Sequence, residues 1–449
     1  MTNSTNLQWF PTNAPIASSR TDDIWFIDPM VGWAVNSNGQ IIKTTDGGDT
    51  WKIQFQTPIV NRRPIYLRCV GFSTPLNGWV GTVSKEQRLY HTTDAGETWA
   101  IVENLPENAP VKICGLSIVN ESVVYASGTN DPADIPARMM KTVDGGETWT
   151  VWDMSEYATI LIDNYFINED FGWVVGGKAD NNIPKPTRDD VIPVVLYTED
   201  GGKTWVNQVA DISSSFPLGE WGWKIFFLNE NIGFVSLENF TKGAILKTID
   251  GGQTWKRLRI NDDQENVNLE GVGFADENLG WVGGWGYDFL EGNPTGISSQ
   301  TNDGGQNWED ANQIGQFINR FRFFGNPVTV GYASGKTVYK YSAAPVTAPL
   351  VERVAPLSFL TTNAPAQFEK SVNIEYTLPE NVKKVRIDIW NQFGAYVRQL
   401  VDESNPIAGQ KSVAWDGKND AGEFLPPGIF IYRLTVDSNA ESRVIRLKA

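Results

Sequence analysis

The sequence is poor in the residues that build many catalytic and metal sites. Among 449 residues there are two cysteines, Cys69 and Cys114, and one histidine, His91. Two cysteines are too few for a disulfide framework or a metal site, and a single histidine excludes histidine-rich zinc sites and histidine-based triads. We therefore expect no bound metal or cofactor and no catalytic residue. We expect both thiols to be buried and free, with a bridge between neighbouring repeats as the alternative.

The chain also lacks long apolar runs and an excess of positive charge. No apolar run reaches the length of about 18 residues that predicts a membrane span. The first residues contain no basic region followed by an apolar core, so no signal peptide is visible. The protein is then either cytoplasmic or a mature chain whose leader has been removed. A formal net charge of −16 disfavours nucleic acid and anionic membranes as partners, because both attract basic patches.

What the sequence does contain is 18 tryptophans and 42 glycines, many of them in a repeat. The octapeptide Thr-x-Asp-(Gly/Ala)-Gly-x-(Thr/Asn)-Trp occurs six times, and its aspartates are spaced by 48, 50, 56, 50 and 53 residues. Such a period indicates one supersecondary unit copied along the chain. The aspartate and tryptophan of the successive copies are Asp46 and Trp51, Asp94 and Trp99, Asp144 and Trp149, Asp200 and Trp205, Asp250 and Trp255, and Asp303 and Trp308.

Each octapeptide predicts a hairpin turn held by its own side chains. The aspartate and threonines can close an Asx-type turn, the adjacent glycines supply positive φ angles, and the tryptophan begins the next strand and turns inward. Six copies at this period resemble the Asp-box, or BNR repeat. In families that carry it, this motif is a structural clasp at the blade periphery, away from the functional face. We therefore expect these twelve residues to be structural.

Seven units can be counted from a second landmark, a Gly-Trp pair such as Gly32-Trp33 that opens a Val/Ala-rich run. Each unit contains four short strands, which predicts an all-β protein with a seven-bladed β-propeller over residues 1–342. The seventh unit supplies only three strands. Residues 7–10 resemble a fourth strand with nothing before it, so we expect them to complete the last blade and remove the open sheet edges.

The repeat of Gly-Trp-x-Val/Ala and Lys-Thr-x-Asp-Gly-Gly-x-Thr-Trp, as at 32–35 and 43–51, is similar to the photosystem II assembly/stability factor family over residues 7–341. In that family the propeller carries an arginine patch. The residues that begin the first strands here, and should ring the channel mouth, have both signs, so the assembly-factor role is not carried over from the resemblance. We expect them to form a satisfied polar ring rather than an acid–base pair: Asp22, Arg68, Lys112, Asp163, Lys224, Glu270 and Arg320.

Three long loops, 129–138, 178–191 and 285–298, are predicted to project from the face opposite the Asp-boxes. Loops carried by a rigid scaffold often hold the functional residues, and aromatic rings beside carboxylates suit sugar stacking or a protein partner. The alternative is that the tryptophans fill gaps between blades and are buried. The predicted binding residues are Trp221, Trp223, Trp285, Tyr287, Asp189, Asp190, Asp288, Arg62 and Arg63.

After a proline-containing linker at 343–366, the alternation of apolar and polar residues predicts a small Ig-like β-sandwich at 367–449. With the turn at 415–422 and the run at 427–434, this region resembles the Ig-like domain of flagellar hook-capping proteins. It also resembles the C-terminal sorting domains of the type IX secretion system. The resemblance implies a bacterial protein that is extracellular or at the cell surface, with secretion or surface-anchoring machinery as a partner.

Taken together, these patterns predict a non-enzymatic binding or scaffold propeller that uses its loop-rich face for a protein or glycan partner. The alternatives are an assembly factor for a larger complex, or a glycan-active protein of sialidase-like or glucan-hydrolase-like type. The Arg-Ile-Pro motif of sialidases is absent, and only one propeller is predicted where xyloglucan hydrolases use two. If the protein were an enzyme, we would expect a glycoside hydrolase.

Overall fold

The computed structural model of the protein describes residues 7–17, 20–60, 63–132, 136–239, 241–262, 266, 268–284, 298–311, 314, 317–343, 367–391, 396–425, 428–437 and 439–447. Over these residues the structure is all-β, with short 3₁₀ helices at Arg188–Asp190 and Ala210–Ser215. No helix among the described residues is long and apolar enough to cross a membrane.

Seven four-stranded antiparallel sheets form the blades of the propeller. The first strand of the chain, β1 (Leu7–Pro11), belongs to the last blade. The first blade consists of β2 (Thr21–Phe26), β3 (Gly32–Asn36), β4 (Gln40–Thr44) and β5 (Lys52–Gln56). A short hairpin of β6 (Ile59–Val60) and β7 (Arg63–Pro64) precedes the second blade, which consists of β8 (Leu67–Phe72), β9 (Gly78–Thr82), β10 (Leu89–Thr92) and β11 (Ala100–Ile101). The third blade consists of β12 (Gly115–Ile118), β13 (Val124–Gly128), β14 (Arg138–Thr142) and β15 (Thr150–Asp153).

The remaining blades repeat the same order. Their strands are β16 (Ile160–Phe166), β17 (Gly172–Ala179), β18 (Val191–Thr198) and β19 (Val206–Asn207); β20 (Trp221–Phe227), β21 (Gly233–Glu238), β22 (Ala244–Thr248) and β23 (Lys256–Arg259); β24 (Leu269–Phe274), β25 (Gly280–Gly284), β26 (Ser298–Thr301) and β27 (Glu309–Asp310); and β28 (Phe321–Phe324), β29 (Val330–Ser334) and β30 (Val338–Ala343), which pair with β1.

The glycine of the Gly-Trp landmark is required by packing inside the blade. A Cβ atom at Gly32 would lie 2.4 Å from the ring of Phe26, which is on the neighbouring first strand. The same arrangement recurs in four other blades, so the glycine lets a phenylalanine ring lie flat on the sheet. The four further pairs are Gly78 with Phe72, Gly172 with Phe166, Gly233 with Phe227, and Gly280 with Phe274.

The ring closes between the last and first blades. Strand β1 pairs antiparallel with β30, so both ends of the propeller sequence share one sheet. Across the adjoining blade boundary, the Phe26 ring stacks on Tyr332 with centroids 3.8 Å apart. The Tyr332 hydroxyl donates to the backbone oxygens of Pro29 at 2.7 Å and Gly47 at 2.9 Å. The last blade therefore has four strands, as the other six blades do.

Both cysteines are buried and free, as expected. Cys69 Sγ donates a long hydrogen bond to Ile113 O at 3.6 Å, and burial raises the pKa of the Cys69 thiol well above its ordinary value. Both therefore act as small apolar side chains at the packing of the second and third blades.

The C-terminal region is the small Ig-like sandwich. Its strands are β31 (Gln367–Phe368), β32 (Val372–Leu378), β33 (Lys384–Asn391), β34 (Tyr396–Ser404), β35 (Gly409–Trp415), β36 (Gly428–Val436) and β37 (Asn439–Leu447). They form a sheet in the order β31-β37-β36-β33-β34 and a two-stranded sheet of β32 and β35, around a core that includes the buried Trp415. The predicted linker lies almost wholly outside the described residues, so the bounds 1–342, 343–366 and 367–449 stay a prediction.

Candidate binding site at the channel mouth

The Asp-box is a clasp made by its own side chains. In the first copy, Thr44 Oγ1 donates to Asp46 Oδ1 at 2.9 Å and accepts from Gly48 N at 2.8 Å. Thr50 N donates to Asp46 Oδ1 at 2.9 Å. Equivalent bonds occur in the other five copies. The glycines have the positive φ angles that the sequence predicts, and Ala95 takes the same conformation at φ 64°.

The tryptophans of five Asp-boxes are buried, whereas Trp51 is only half-buried. Trp51 also packs against the core, at the contact between the first and last blades, but is less buried than the other five. In the first copy, both carboxylate oxygens of Asp46 accept hydrogen bonds from threonine groups of the same turn. This arrangement favours the structural role that the motif predicts for these residues.

On the face opposite the Asp-boxes, the Arg320 guanidinium makes hydrogen bonds across the central channel. Its Nη1 and Nη2 donate to the two carboxylate oxygens of Asp163 at 2.9 and 2.8 Å, and its Nε donates to Asp23 Oδ1 at 2.8 Å. Arg320 precedes the first strand of the seventh blade, while Asp163 is on that of the fourth. Burial opposes ionisation of Asp163, but the attraction of Arg320 outweighs it and lowers the pKa of this carboxyl.

A second network joins the first, second and sixth blades. Arg20 Nε donates to Asp22 Oδ1 at 2.9 Å, and Arg68 Nη1 donates to the same oxygen at 2.6 Å. Arg20 Nη1 also pairs with Glu270. The indole of Trp223 lies against both arginines, with their Cζ atoms 5.6 and 4.6 Å from its ring centroid. The expected polar ring is thus largely satisfied by mutual pairing.

Five residues of this network have buried groups without a hydrogen-bond partner among the described residues. The donors are Nε and Nη2 of Arg68 and Nε1 of Trp223, and the acceptors are one carboxylate oxygen each of Glu238 and Asp22 and the amide oxygen of Asn319. Burial raises the pKa of Glu238, and the nearby charge of Glu270 adds to the effect. An unpaired buried donor or acceptor costs about 1–3 kcal/mol, and more when it is charged. Such a concentration of unpaired groups is typical of a site that a ligand or ordered water completes.

The structure corrects the expectation of exposed tryptophans on the loop-rich face. Trp221 is 0% exposed and Trp223 is 2% exposed, because they begin β20, the first strand of its blade, and not a loop. Trp221 packs with Ile160 and Val191 at the boundary with the fourth blade, and the Arg188 guanidinium lies 5.4 Å above its ring. These two tryptophans therefore line the channel and the boundary between two blades.

The other predicted binding residues are not brought together by the described structure. Asp189 is exposed on a 3₁₀ helix, and Asp190 accepts hydrogen bonds from Thr187 N and Oγ1 at 2.8 Å. The backbone bond from Thr187 is the main cause of a lowered pKa at Asp190. Arg63 lies in β7, with its side chain outside the described part. Four further residues lie outside the described residues altogether: Arg62, Trp285, Tyr287 and Asp288.

Sequence reasoning missed Arg20, Asp23, Glu238 and Asn319, which complete the channel network. Asn319 Nδ2 donates to Glu270 Oε2 at 3.1 Å. A β-bulge in β2 places Asp22 and Asp23 against different arginines, and Glu238 ends a second strand rather than beginning a first. The run Arg20-Thr21-Asp22-Asp23 was the available signal, because several charges ahead of a buried strand need partners. Among the described residues, no group of three or more acidic, cysteine or histidine side chains could hold a metal ion.

Comparison with known proteins agrees with this architecture. A family profile described as Photosynthesis system II assembly factor YCF48 matches residues 1–130, and one described as FlgD Ig-like domain matches residues 361–442. The propeller is similar to the photosystem II assembly factors. The expected resemblance of the C-terminal domain to the Ig-like domain of hook-capping proteins is likewise confirmed.

Two curated relatives and one solved structure show the extent of the similarity. The Photosystem II assembly lipoprotein Ycf48 of Nostoc sp. is 25% identical over 216 residues, covering 46% of this chain and 52% of the relative. That of Picosynechococcus sp. is 30% identical over 225 residues, covering 47% and 55%. The chain thus spans about half the length of these relatives. The structure described as YCF48 bound to D1 peptide covers 76% of this chain and 98% of that chain, with TM-score 0.52 and 16% identity, and shares the fold.

Proposed function

We propose that this protein is a non-enzymatic propeller that binds a polypeptide segment of a protein partner at the channel mouth and helps to assemble a larger complex. The observation that carries the proposal is the set of unpaired buried groups on Arg68, Glu238 and Trp223. Two comparisons support it. The curated relatives are named as assembly lipoproteins, and a structure of similar fold is described with a peptide bound.

The chemistry of the unpaired groups suits a polypeptide that carries a carboxylate. Nε and Nη2 of Arg68 are neighbouring donors on one edge of a planar guanidinium, the geometry that matches two carboxylate oxygens. Glu238, whose raised pKa favours the protonated form, can donate to a backbone oxygen. The face of Trp223 supplies apolar contact area. A partner segment that enters the mouth would supply hydrogen-bond partners for these groups.

The loop-rich face would guide the partner towards this mouth. The loop at 178–191 is anchored to the channel wall, because Arg188 stacks on Trp221 and donates from Nη2 to Asn130 O at 2.9 Å. Asp189 stays exposed beside this anchor. We propose that Asp189, with the other loop residues predicted from the sequence, contacts the flanking parts of the partner: Asp190, Trp285, Tyr287, Asp288, Arg62 and Arg63.

A glycan-active protein is the second candidate, and one observation favours it. Glycoside hydrolases use a protonated carboxyl as general acid, with a second carboxylate beside it, and Glu238 has a raised pKa near Glu270. Glu270, however, pairs with Arg20 and Asn319, which leaves it poorly suited to act as a nucleophile or base. Turnover of aryl glycosides that is lost in Glu238→Gln would favour this candidate over the binding role.

We further propose that the protein acts outside the cytoplasm and that residues 367–449 tether or address it. The similarity of this region to an Ig-like domain supports the proposal, as does the naming of the curated relatives as lipoproteins. The proposal includes secretion or surface-anchoring machinery as the partner of residues 367–449. A glycan remains the alternative partner of the loop-rich face. Fractionation of cells that express the full chain, with and without residues 367–449, would test it through the loss of surface-associated protein.

The binding proposal is tested by selecting peptides against the intact protein and measuring their Kd by calorimetry. We expect Arg68→Gln to weaken the selected peptides about 10- to 100-fold, the loss of a charge-assisted pair, and Glu238→Gln to weaken them less. Arg259→Gln, at an exposed position on the outer strand β23, is the matched control and should bind normally. Unchanged binding by both channel variants would contradict the proposed site. Binding that disappears only on removing residues 367–449 would move it to the sandwich.

A further inference from the structure

After four of the six Asp-boxes, the residue three positions beyond the tryptophan fills the boundary between its own blade and the Asp-box of the next. We call this boundary a seam, numbered by its first blade. A Cβ atom at the second glycine of the next box would meet this residue at 2.3 Å for Gly96 and 2.7 Å for Gly252. The corresponding distance is 3.6 Å for both Gly202 and Gly305. The filling residues in the first, third, fourth and fifth seams are Gln54, Trp152, Gln208 and Leu258.

In the first seam, the side-chain amide of Gln54 makes hydrogen bonds to both sides of the boundary. Gln54 Oε1 accepts from the indole Nε1 of Trp33 at 3.0 Å, and Gln54 Nε2 donates to Ala95 O of the next Asp-box at 3.1 Å. Lys43 Nζ donates to the same oxygen at 3.2 Å. The fourth seam repeats the first contact, since Gln208 Oε1 accepts from an indole Nε1 at 2.9 Å. A primary amide therefore bridges an indole N–H and a backbone oxygen.

The second seam lacks both of these side chains, and the amide it does contain, that of Asn104, donates from Nδ2 to Gly146 O at 3.0 Å and Glu147 O at 2.6 Å. Val102 stands where the first seam has Gln54, and His91 stands where it has Lys43. His91 stacks on Trp79 with centroids 3.6 Å apart and pairs with Asn77, and burial lowers its pKa to about 4. The histidine is consequently neutral near pH 7 and is occupied within its own blade.

Two hydrogen-bonding groups are left unpaired as a result. Trp79 is 1% exposed, and its Nε1 has no hydrogen-bond partner among the described residues. No described residue donates to Gly145 O, the equivalent of Ala95 O. A groove of about 370 Å³ occupies this seam, lined by Trp79, His91, residues 100–104 and residues 145–147. The six-membered ring of Trp79 fills part of the vacated space, with Cη2 directed at Gly146.

We propose that this groove binds the side-chain amide of a glutamine presented by a partner polypeptide. The amide NH₂ donates to Gly145 O, and the amide oxygen accepts from Trp79 Nε1 once the indole turns to the orientation of Trp33. The lining residues Glu103 and Glu147 repel a carboxylate, so glutamine is preferred to glutamate. The site is at the blade periphery, away from the channel mouth, and does not depend on the proposed function.

The neighbouring strand indicates that the occupant is a polypeptide. Strand β11 is the outer edge of its sheet and contains only two paired residues, Ala100 and Ile101, both of them exposed. An extended segment can add to such an edge through main-chain hydrogen bonds, while a side-chain pocket gives specificity. The groove begins beside these two residues. A glutamine on an added strand would therefore enter it.

The test follows the indole N–H resonances of the intact, ¹⁵N-tryptophan-labelled protein, with the Trp79 resonance assigned from Trp79→Phe. Capped pentapeptides with glutamine, glutamate or lysine at the centre are added separately. We expect a saturable shift of the Trp79 resonance with the glutamine peptide, and at least a tenfold weaker response with the other two. Equal responses to all three peptides, or no saturable shift with glutamine, would overturn the proposal.

Three variants sharpen the result. Val102→Gln should supply the amide from within the chain, shift the Trp79 resonance without peptide and abolish the peptide response. Val102→Leu should block the groove without moving that resonance downfield. Val206→Gln, the same substitution at a 64% exposed position of the outer strand β19, should respond as the unmodified protein does. A Val102→Gln protein that still binds the glutamine peptide would place the peptide elsewhere.

Discussion

Trp9, near the start of the chain, lies directly opposite Tyr341 in the pairing of β1 with β30. Their ring centroids are 5.1 Å apart, and Trp9 also meets Trp281 of the sixth blade edge-on at 5.4 Å. One residue of β1 thus connects the last sheet to the blade before it. Closure of the ring depends on apolar packing as well as on the hydrogen bonds of the strand pair.

The first prediction concerns this closure. Trp9→Ala should lower the free energy of unfolding of the propeller by about 3–5 kcal/mol, the range for emptying a buried aromatic site. Deletion of residues 1–12 should cost more, because it also exposes the edge of β30. Chemical denaturation followed by tryptophan fluorescence measures both. Gln8→Ala, at an exposed position of the same strand, is the control and should change little. A deletion variant with unchanged stability would contradict the role of β1 in closure.

The second prediction concerns the Asp-box. Trp255 is 5% exposed, so Trp255→Ala should cost about 3–5 kcal/mol of unfolding free energy. Trp51→Ala should cost clearly less, because Trp51 is half-buried. Asp250→Ala leaves the turn donors Thr254 N and Thr254 Oγ1 without their acceptor, a loss of about 1–3 kcal/mol. Peptide affinity, corrected for folded fraction, should stay constant. A selective loss of affinity at full stability would show that the Asp-box face is functional.

Contacts between residues close in sequence could be predicted, whereas contacts that depend on ring closure could not. The Asp-box could be predicted because its bonds join residues within four positions, such as Asp46 and Thr50. The channel network could not, because Arg20 pairs with Glu270 from 250 positions away, and only ring closure brings these two together. The burial of Trp221 was predicted only as the alternative, for a related reason. Trp221 pairs with Glu238 as the first residue of β20 and packs against the fourth blade, and no local pattern marks these contacts.

The third prediction concerns acid stability. The side-chain hydrogen bond from Thr98 is the largest cause of a pKa of about 2 at Asp94, and Thr148 has the same effect at Asp144. At Asp200 the backbone bond from Thr204 leads, again to about 2. Because these folded-state pKa values lie below the ordinary 3.8, the stabilisation is present above pH 3.8 and is lost as the pH falls towards 2. Denaturation curves across this range should show the loss.

Thr98→Val provides the direct control for this acid effect. It removes the hydroxyl that donates to Asp94 Oδ2 at 2.6 Å and leaves the other boxes intact. The Asp94 carboxyl should then titrate closer to its ordinary pKa of 3.8, as followed by ¹³C NMR. The variant should also lose less stability between about pH 4 and pH 2 than the unmodified protein. An Asp94 carboxyl that already titrates at its ordinary value in the unmodified protein would contradict the clasp geometry.

The fourth prediction concerns Glu238 at the channel mouth. Burial raises its pKa above the ordinary 4.5, so the folded protein keeps a proton that the unfolded chain releases. The associated stability is fully present below pH 4.5 and is lost as the pH rises from there through the raised pKa. Glu238→Gln keeps the shape of the side chain but does not titrate. Its free energy of unfolding should match that of the unmodified protein near pH 4 and exceed it near pH 9.

Comparing the free energy of unfolding near pH 4 and near pH 9 separates the titration of Glu238 from a change in packing. A packing defect in Glu238→Gln would lower stability by the same amount at both values, whereas removal of a buried ionisable group changes only the difference between them. Glu230→Gln, at an exposed position, should show no such difference. If Glu238→Gln and Glu230→Gln have parallel stability profiles, then the Glu238 carboxyl has a partner in solution. In that case the unpaired groups of the channel mouth no longer support a binding site there.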